Sequence, residues 1–560
     1  MKWIWSFLLA LLSLIPVLGL RLSAQNTEVA PSSAGIIKSD TPGTSEVRSS
    51  SATSDGCDSV NGTLFNLEPR LNAQPQQSES IAFLLDGVSP GVDLVVGAAN
   101  ESASRSRFEP AGSNDVVFDA FYVHRTGANC NPNFEGTPPQ NAAAPFGTTN
   151  PKVVADPARK GFFLAADVVG AAIELVTHTT AAILLSSSAC PNGTQKLTSS
   201  ANATCWPDVG AAVFNPSFTP NQVLLGASLA LDSRTSGKGA GDVYVAAQIE
   251  NTGNNPATST IQIIACTDQA QPLSCGTSVI ASAADKFASR PWAQVRDDGV
   301  VTISYWTFAN PNTGQQPNPI DIKFVTCTPL GAPKAPACSK PQLVAKTALL
   351  ASWDPGDNDF TDPLLPKHSD RLEADGSFTT FLVYDRCRSI HPPQLLAGLA
   401  VIANPVCTKV DLVLTRSTNG GATWSTPEPV EAAVGHQLFG TIGVDRSTGT
   451  TNIAYYSTQN DPFLQRAQVF LSQIPAGSTQ PKPAIALTSA STDPNVGIQD
   501  LVMQNAGSID FGDYIGLAAA GTGSKGQSKV YVHYTWNNVF GISNGTSQPD
   551  PNNTLLLFSY

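Results

Sequence analysis

Charge is scarce in this chain, and so is any signature of a helix. Asp, Glu, Lys and Arg make up only 14% of its 560 residues, against roughly 25% in an ordinary globular protein. No stretch of a dozen residues carries an apolar stripe at helical spacing, which argues against a helix bundle. Net charge is −12, and no basic cluster follows the N-terminal segment, which argues against nucleic acid or an anionic membrane surface as partner. Cys-x-x-Cys and Cys-x-His spacings are absent, so no zinc finger is encoded. There is no Gly-x-Ser-x-Gly string, and the 6 histidines are scattered, which removes the usual signal of Ser/His/Asp chemistry. Nor is there a phosphate or dinucleotide glycine motif in a strand-to-helix setting. Beyond residue 20 no apolar run is long enough to span a bilayer.

What is present begins with an export signal. Lys2 supplies a positive n-region, Ile4 to Leu20 is apolar, and Leu22-Ser23-Ala24 fits a small-residue cleavage site. That is the layout of a secretory signal peptide over residues 1–24, with Gln25 opening the mature chain. The expected location is secreted or extracytoplasmic (periplasm or cell surface), with no transmembrane segment after cleavage. Residues 25–56 are rich in Ser, Thr and Ala with no apolar period and read as a flexible leader. Residues 57–560 read as one folded domain.

The 10 cysteines fit disulfides in an exported chain. Their spacing suggests local pairs: Cys190–Cys205, Cys266–Cys275, Cys327–Cys338 and Cys387–Cys407, leaving Cys57–Cys130. The composition is otherwise Ser, Thr, Asn, Gln, Gly and Pro with β-branched and aromatic runs, which suits strands and turns.

One unit recurs: an apolar strand, a turn carrying Asp or Gly, and a second apolar strand. The turn acids Asp156, Asp232, Asp297, Asp375 and Asp445 lie about 65 to 78 residues apart. A further copy ends at Tyr514 to Ala518 and returns at Val530 to Tyr534, and a weaker one precedes them all at Asp93 to Val96. Each hairpin is followed by a third strand. A fixed period of this size with three or four strands per unit predicts an all-β fold: one propeller, seven blades favoured and six the alternative. The last unit stops at its third strand, so Thr63 to Leu67 is expected to supply the fourth and close the ring.

Ser417-Thr418-Asn419-Gly420-Gly421-Ala422-Thr423-Trp424 is the most specific string. It resembles the Asp-box of the sialidase-like (BNR-repeat) β-propeller superfamily, with Asn419 where Asp is usual. Ser417, Asn419, Gly421, Thr423 and Trp424 would shape a hairpin turn: a side-chain cap, a positive φ, and an indole packed between blades. In three other units the Cys190, Cys266 and Cys327 pairs fall where a box would sit, and disulfides are expected to staple those turns. The resemblance implies a sialidase-like propeller and not sialidase activity, because the box lies on the outer turn of a blade. The arginine that the family carries in an Arg-Ile-Pro string on its first blade is missing. Arg105, Arg107 and Arg125 stand there in other company.

In a propeller, the loops entering each first strand and those joining second and third strands ring one mouth of the channel. Arg290, Asp370, Arg371, Asp385, Arg386, Tyr456, Asp513 and Tyr514 are the catalytic candidates placed there, with Trp292 and His436 as binding candidates. The expected function is a non-catalytic glycan- or protein-binding module. The alternative is a divergent exo-glycosidase of sialidase type at the channel mouth. No cofactor is expected. Asp354, Asp357, Asp359 and Asp362 could hold Ca²⁺ through oxygen ligands, but the terminal Glu of a calcium loop is missing and a solvated loop is the preferred reading. A monomer is expected, with a glycan or an extracellular protein as partner.

Overall fold

A computed structural model describes residues 63–66, 76–85, 93–101, 118–125, 134–136, 148–158, 161–168, 183–188, 211–214, 222–254, 257–267, 274–308, 318–349, 352–353, 365–391, 406–464, 466–488, 515–521, 528–543 and 546–559. The signal peptide, the leader, Cys57, Cys130, Cys190, Cys205, the acidic run 354–362, Asp513 and Tyr514 lie outside the described residues.

The described chain is all-β. No described residue is helical, and so no described helix is long and apolar enough to cross a membrane. Its strands form seven sheets, each opening on an antiparallel hairpin. In chain order the first strands are Gln76–Leu85, Thr148–Asp156, Gln222–Leu231, Ala288–Val295, Lys367–Leu372, Gln437–Asp445 and Gly516–Gly521. They number the sheets 1 to 7 below. Sheets 1, 2 and 6 are four-stranded meanders; in sheets 3, 4 and 5 a fifth strand also pairs with the third, two residues long in sheets 3 and 5 and the eight-residue Gln342–Leu349 in sheet 4. One short pair, Ser352–Trp353 with Val406–Cys407, is parallel. Sheet 7 has three local strands, and Thr63–Asn66 pairs antiparallel with Thr546–Ser559 as its fourth. The predicted N-terminal contribution is therefore made, in register Thr63 opposite Leu557.

The first strand of each sheet contacts the first strand of the next, and Gly516–Gly521 of sheet 7 contacts Gln76–Leu85 of sheet 1. The cores lie between consecutive sheets. Phe163, Leu224, Val243 and Val245 join sheets 2 and 3. Tyr244, Ile263, Ile303 and Tyr305 join sheets 3 and 4. Trp306, Phe324, Leu382 and Tyr384 join sheets 4 and 5. Phe381, Leu412, Ile453 and Tyr455 join sheets 5 and 6. A second strand is thus covered on both faces, which is why Val301–Phe308 is buried over seven of its eight residues, Thr302, Ser304 and Thr307 included.

The turn acids act as expected, with one exchange. Backbone N–H groups two residues on donate to Asp156, Asp232, Asp375 and Asp445 at 2.9–3.1 Å. In sheet 4 that cap is Asp298, which accepts from Val300 N at 3.1 Å, and Asp297 is left to another partner.

Three of the expected disulfides are formed: Cys266–Cys275, Cys327–Cys338 and Cys387–Cys407. The first two tie the end of the third strand to the fourth in sheets 3 and 4. The Ser417–Trp424 turn follows the third strand of sheet 5 at the equivalent place. There Asn419 Oδ1 accepts from Thr423 N at 2.9 Å, and Ser417 Oγ accepts from Gly421 N at 2.9 Å. Trp424 Nε1 donates to Gly421 O at 3.0 Å, and its ring meets Phe324 of sheet 4 edge-on at 5.2 Å. The amide of Asn419 makes both a donor and an acceptor contact within the turn.

Candidate functional site

Five first strands carry a register shift part-way along, at Ser78/Ser80, Thr149/Lys152, Leu225/Ala227, Ser289/Trp292 and Leu438/Thr441. At three of them a residue sits in the left-handed region: Gly226 at φ 57°, Arg290 at 54° and Phe439 at 54°. A bulge bends a strand and re-aims the side chains beside it. For Arg290 and Phe439, which have a Cβ, the conformation costs on the order of 1–3 kcal/mol, and the flanking sheet must hold it.

Two cations, Lys152 and Arg290, lie at the bulges of sheets 2 and 4, and a third, Lys367, opens the unshifted first strand of sheet 5. Lys152, Arg290 and Lys367 line one pocket with Trp292 and Pro366. Lys152 and Lys367 are both buried. Lys367 Nζ donates to Ile515 O at 3.2 Å and lies 5.1 Å from the centre of the Trp292 ring, a cation–π contact. Trp292 Nε1 donates to His368 O at 3.1 Å, which fixes the indole. Lys152 and Trp292 also line a larger cavity, of about 240 Å³, bounded by first strands of sheets 2 to 7. Asp370 is the one carboxylate among the described residues lining it. That carboxylate is already engaged: Thr302 Oγ1 donates to Oδ2 at 2.7 Å and Thr380 Oγ1 to Oδ1.

Behind this lining stand two buried titratable groups. Asp385 Oδ2 accepts from Phe439 N at 3.1 Å, whereas Oδ1 has no hydrogen-bond partner. Burial pushes its pKa up to about 8; the N–H donors of Phe439 and Gly440 and the charge of Lys367 only partly oppose this. A group so placed holds its proton at neutral pH. His368 is fully buried between sheets 4 and 5. Nδ1 lies 2.8 Å from Ser304 Oγ, and Nε2 lies 2.8 Å from Thr302 Oγ1. Burial lowers its pKa to about 4, partly opposed by Asp370. Ser304, His368 and Asp370 are near one another, yet the carboxylate addresses Thr302 rather than the imidazole, and Ser304 Oγ also donates to Pro366 O. The arrangement fastens two sheets; it is not a nucleophile–base–orienter relay.

The other candidates fall elsewhere. Arg371 is buried at the sheet 5–sheet 6 interface, its guanidinium 4.7 Å from the Phe381 ring centre and donating to Pro475 O and Ser478 O at 3.0 and 2.7 Å. Arg386 is half-buried on the second strand of sheet 5. His436 Nδ1 accepts from Val410 N at 3.4 Å, and its backbone pairs with Thr458. Tyr456 packs in the sheet 5–7 core with its ring 6.3 Å from Phe439. Trp292 and Asp370 therefore meet at the larger cavity, Arg290 lines the pocket that adjoins it through Trp292, and Asp385 lies behind. Arg371, His436 and Tyr456 hold sheets together.

Lys152, Lys367 and Arg446 escaped the sequence reading. A signal existed: Pro151-Lys152, Pro291-Trp292 and Pro366-Lys367 place a proline immediately before a cavity residue in three first strands. Proline tolerates a strand position only where no ladder donor is needed, and the dipeptide falls at the bulge in sheets 2 and 4 and at the strand start in sheet 5.

No protein family description matches this chain, and no curated protein matches it. Solved structures do. A protein of unknown function from Dyadobacter fermentans shares 10% identity over 90% of this chain and 99% of its own, with a TM-score of 0.39. The polysaccharide lyase Uly1 shares 10% over 83% and 88%, with a TM-score of 0.39. Levansucrase of Bacillus subtilis shares 9% over 61% and 86%, with a TM-score of 0.29. At these scores the likeness carries neither a fold assignment nor a function.

Proposed function

We propose that this chain is an exported seven-bladed β-propeller whose central channel binds an acidic glycan without hydrolysing it. The seven sheets, the N-terminal strand completing the last of them, and the unbroken succession of first-strand contacts support the blade count. The signal-peptide layout and the three disulfides support export.

The observation that carries the binding reading is the cationic lining of two adjoining recesses: Lys152, Arg290 and Lys367 beside a fixed indole in the smaller, and Lys152 and Arg446 against the single engaged carboxylate of Asp370 in the larger. Guanidinium and ammonium donors match carboxylate or sulfate groups. The indole face supplies the apolar surface against which a sugar ring stacks. Glycoside hydrolysis needs two carboxyls at working separation, or a tyrosine nucleophile with its base. Among the described residues lining the cavity, Asp370 has no second carboxyl beside it and no tyrosine.

Titration of the full exported chain with acidic and neutral oligosaccharides tests this. Acidic sugars bind, and affinity falls as salt rises. Arg290→Gln and Trp292→Phe, each checked for folding by circular dichroism, weaken binding by about tenfold or more, the first through a lost charged hydrogen bond and the second through a smaller stacking face that has lost its anchor on His368 O. Equal affinity for neutral sugars, or release of reducing ends during the titration, overturns the reading.

A further inference from the structure

Arg446 follows the first strand of sheet 6, immediately after the turn acid Asp445. Its guanidinium does not stay on its own sheet. Nη1 donates to Ser233 Oγ of sheet 3 at 3.0 Å, and Nη2 donates to Val295 O of sheet 4 at 2.7 Å. Nε pairs with Asp297 Oδ1 of sheet 4 at 3.1 Å. Sheet 6 is neighbour to neither in chain order, so the side chain reaches across the space that the first strands enclose. All three donor positions are used, which holds the guanidinium in one place.

The acceptors are arranged for it. Ser233 follows turn acid Asp232 as Arg446 follows Asp445, so equivalent turn positions of two sheets meet through this bond. In sheet 4 the capping duty has passed to Asp298, and that exchange leaves Asp297 for Arg446. Neighbouring arginines lock the same end: Arg234 Nη1 donates to Asp298 O at 2.6 Å while pairing with Asp232, and Arg296 pairs with Asp298. Arg446 is also one of the residues lining the 240 Å³ cavity, at the hairpin-turn end, whereas the pocket with Arg290 and Lys367 adjoins it through Lys152 and Trp292.

We infer that Arg446 is a stop: it closes the hairpin-turn end of the channel, so that a ligand enters from the opposite end, on the side of Arg290, and is read by its terminus. A cavity of this size has room for one sugar ring, and the blocked end prevents a polymer from passing through. The inference rests on the acidic-glycan reading and names which part of the glycan is recognised, namely a terminal uronate or similarly charged sugar.

The probes are a galacturonate trimer and a long polygalacturonate. Calorimetry gives affinity per mole of chain, and light scattering counts protein copies per chain. End recognition predicts one copy per chain for both and an affinity per chain that does not grow with length. Arg446→Ala opens the far end, and several copies then thread onto each long polymer. Several copies on the polymer with the unaltered protein overturn the inference. So does a single copy per polymer with folded Arg446→Ala, which removes Arg446 as the stop. Failure of the folded protein to bind either probe overturns the acidic-glycan reading itself.

Discussion

Asp385 and His368 are buried within a few residues of the same cavity and pull stability in opposite directions with pH. The pKa of Asp385 rises from an ordinary 3.8 to about 8 on folding. The folded state therefore holds a proton that the unfolded chain has released, and the stability it contributes is complete below pH 4 and lost as pH climbs to about 8. His368 falls from 6.5 to about 4. Its contribution is complete above pH 6.5 and lost as pH drops through 4. Between those limits the two trends oppose. Asp385→Asn keeps an acceptor for Phe439 N and removes the ionisation. Measured by denaturant titration, the variant gains on the parent by at most about 1.4 kcal/mol per pH unit from pH 4 to 8 and no further above. A pH-independent difference between the two proteins defeats this assignment. Legibility at this scale was partial. Arg290, Trp292 and Asp370 were visible as polar residues at strand entrances. The lysines were not, because an isolated Lys in a sequence reads as solvated surface; Lys152 is buried at a bulge and Lys367 by its contacts to Ile515 and Trp292.

At the scale of the element, the Ser417–Trp424 turn and the two disulfide-stapled turns do one job by different bonds. The turn in sheet 5 depends on Gly421, whose φ is 90° and whose added Cβ would lie 2.4 Å from the Phe324 ring. Gly421→Ala strains the backbone and displaces that ring together, and thermal unfolding should report a loss of roughly 2–4 kcal/mol. Asn419→Ala removes the contacts to Thr423 and should cost about 1–2 kcal/mol, while Asn419→Asp keeps the acceptor and costs less. In sheet 3, replacing Cys266 and Cys275 by serine opens a link of sequence separation 9, for which chain entropy gives a loss of about 2–3 kcal/mol. If Gly421→Ala unfolds at the parent temperature, the turn does not act as a rigid unit. These elements were legible because turn chemistry is local: the capping side chain, the glycine and the paired cysteines lie within a few residues of one another. The bulges were legible only in part: Pro151 and Pro291 fall within those of sheets 2 and 4, whereas no residue type marks the one at Phe439.

At the scale of the molecule, the first and last strands are partners. Thr63–Asn66 covers the outer edge of Thr546–Ser559. A chain beginning at residue 68 exposes that edge, a template for pairing with other chains. Such a truncation should unfold at lower temperature and elute as oligomers on size exclusion, whereas a chain beginning at residue 57 should behave as the full mature protein. A monomer of unchanged melting temperature after the longer truncation would mean that this pairing does not stabilise the domain.

The sequence by itself determined the strand content, the turn positions, the period of the repeat, the pairing of neighbouring cysteines and the need for an N-terminal strand to complete the last sheet. Each follows from interactions short along the chain, or from counting strands against a regular pattern. The tertiary structure alone decided which side chains face the cavity, that Arg371 lies between sheets rather than at the cavity, and that Arg446 reaches two sheets far from its own in sequence. Those outcomes depend on bulges and on the packing of one sheet against the next, where residues separated by 151 and 213 positions are brought within hydrogen-bond distance. No local pattern encodes such a meeting, because the partner of a side chain that leaves its own sheet is chosen by the geometry of the whole assembly.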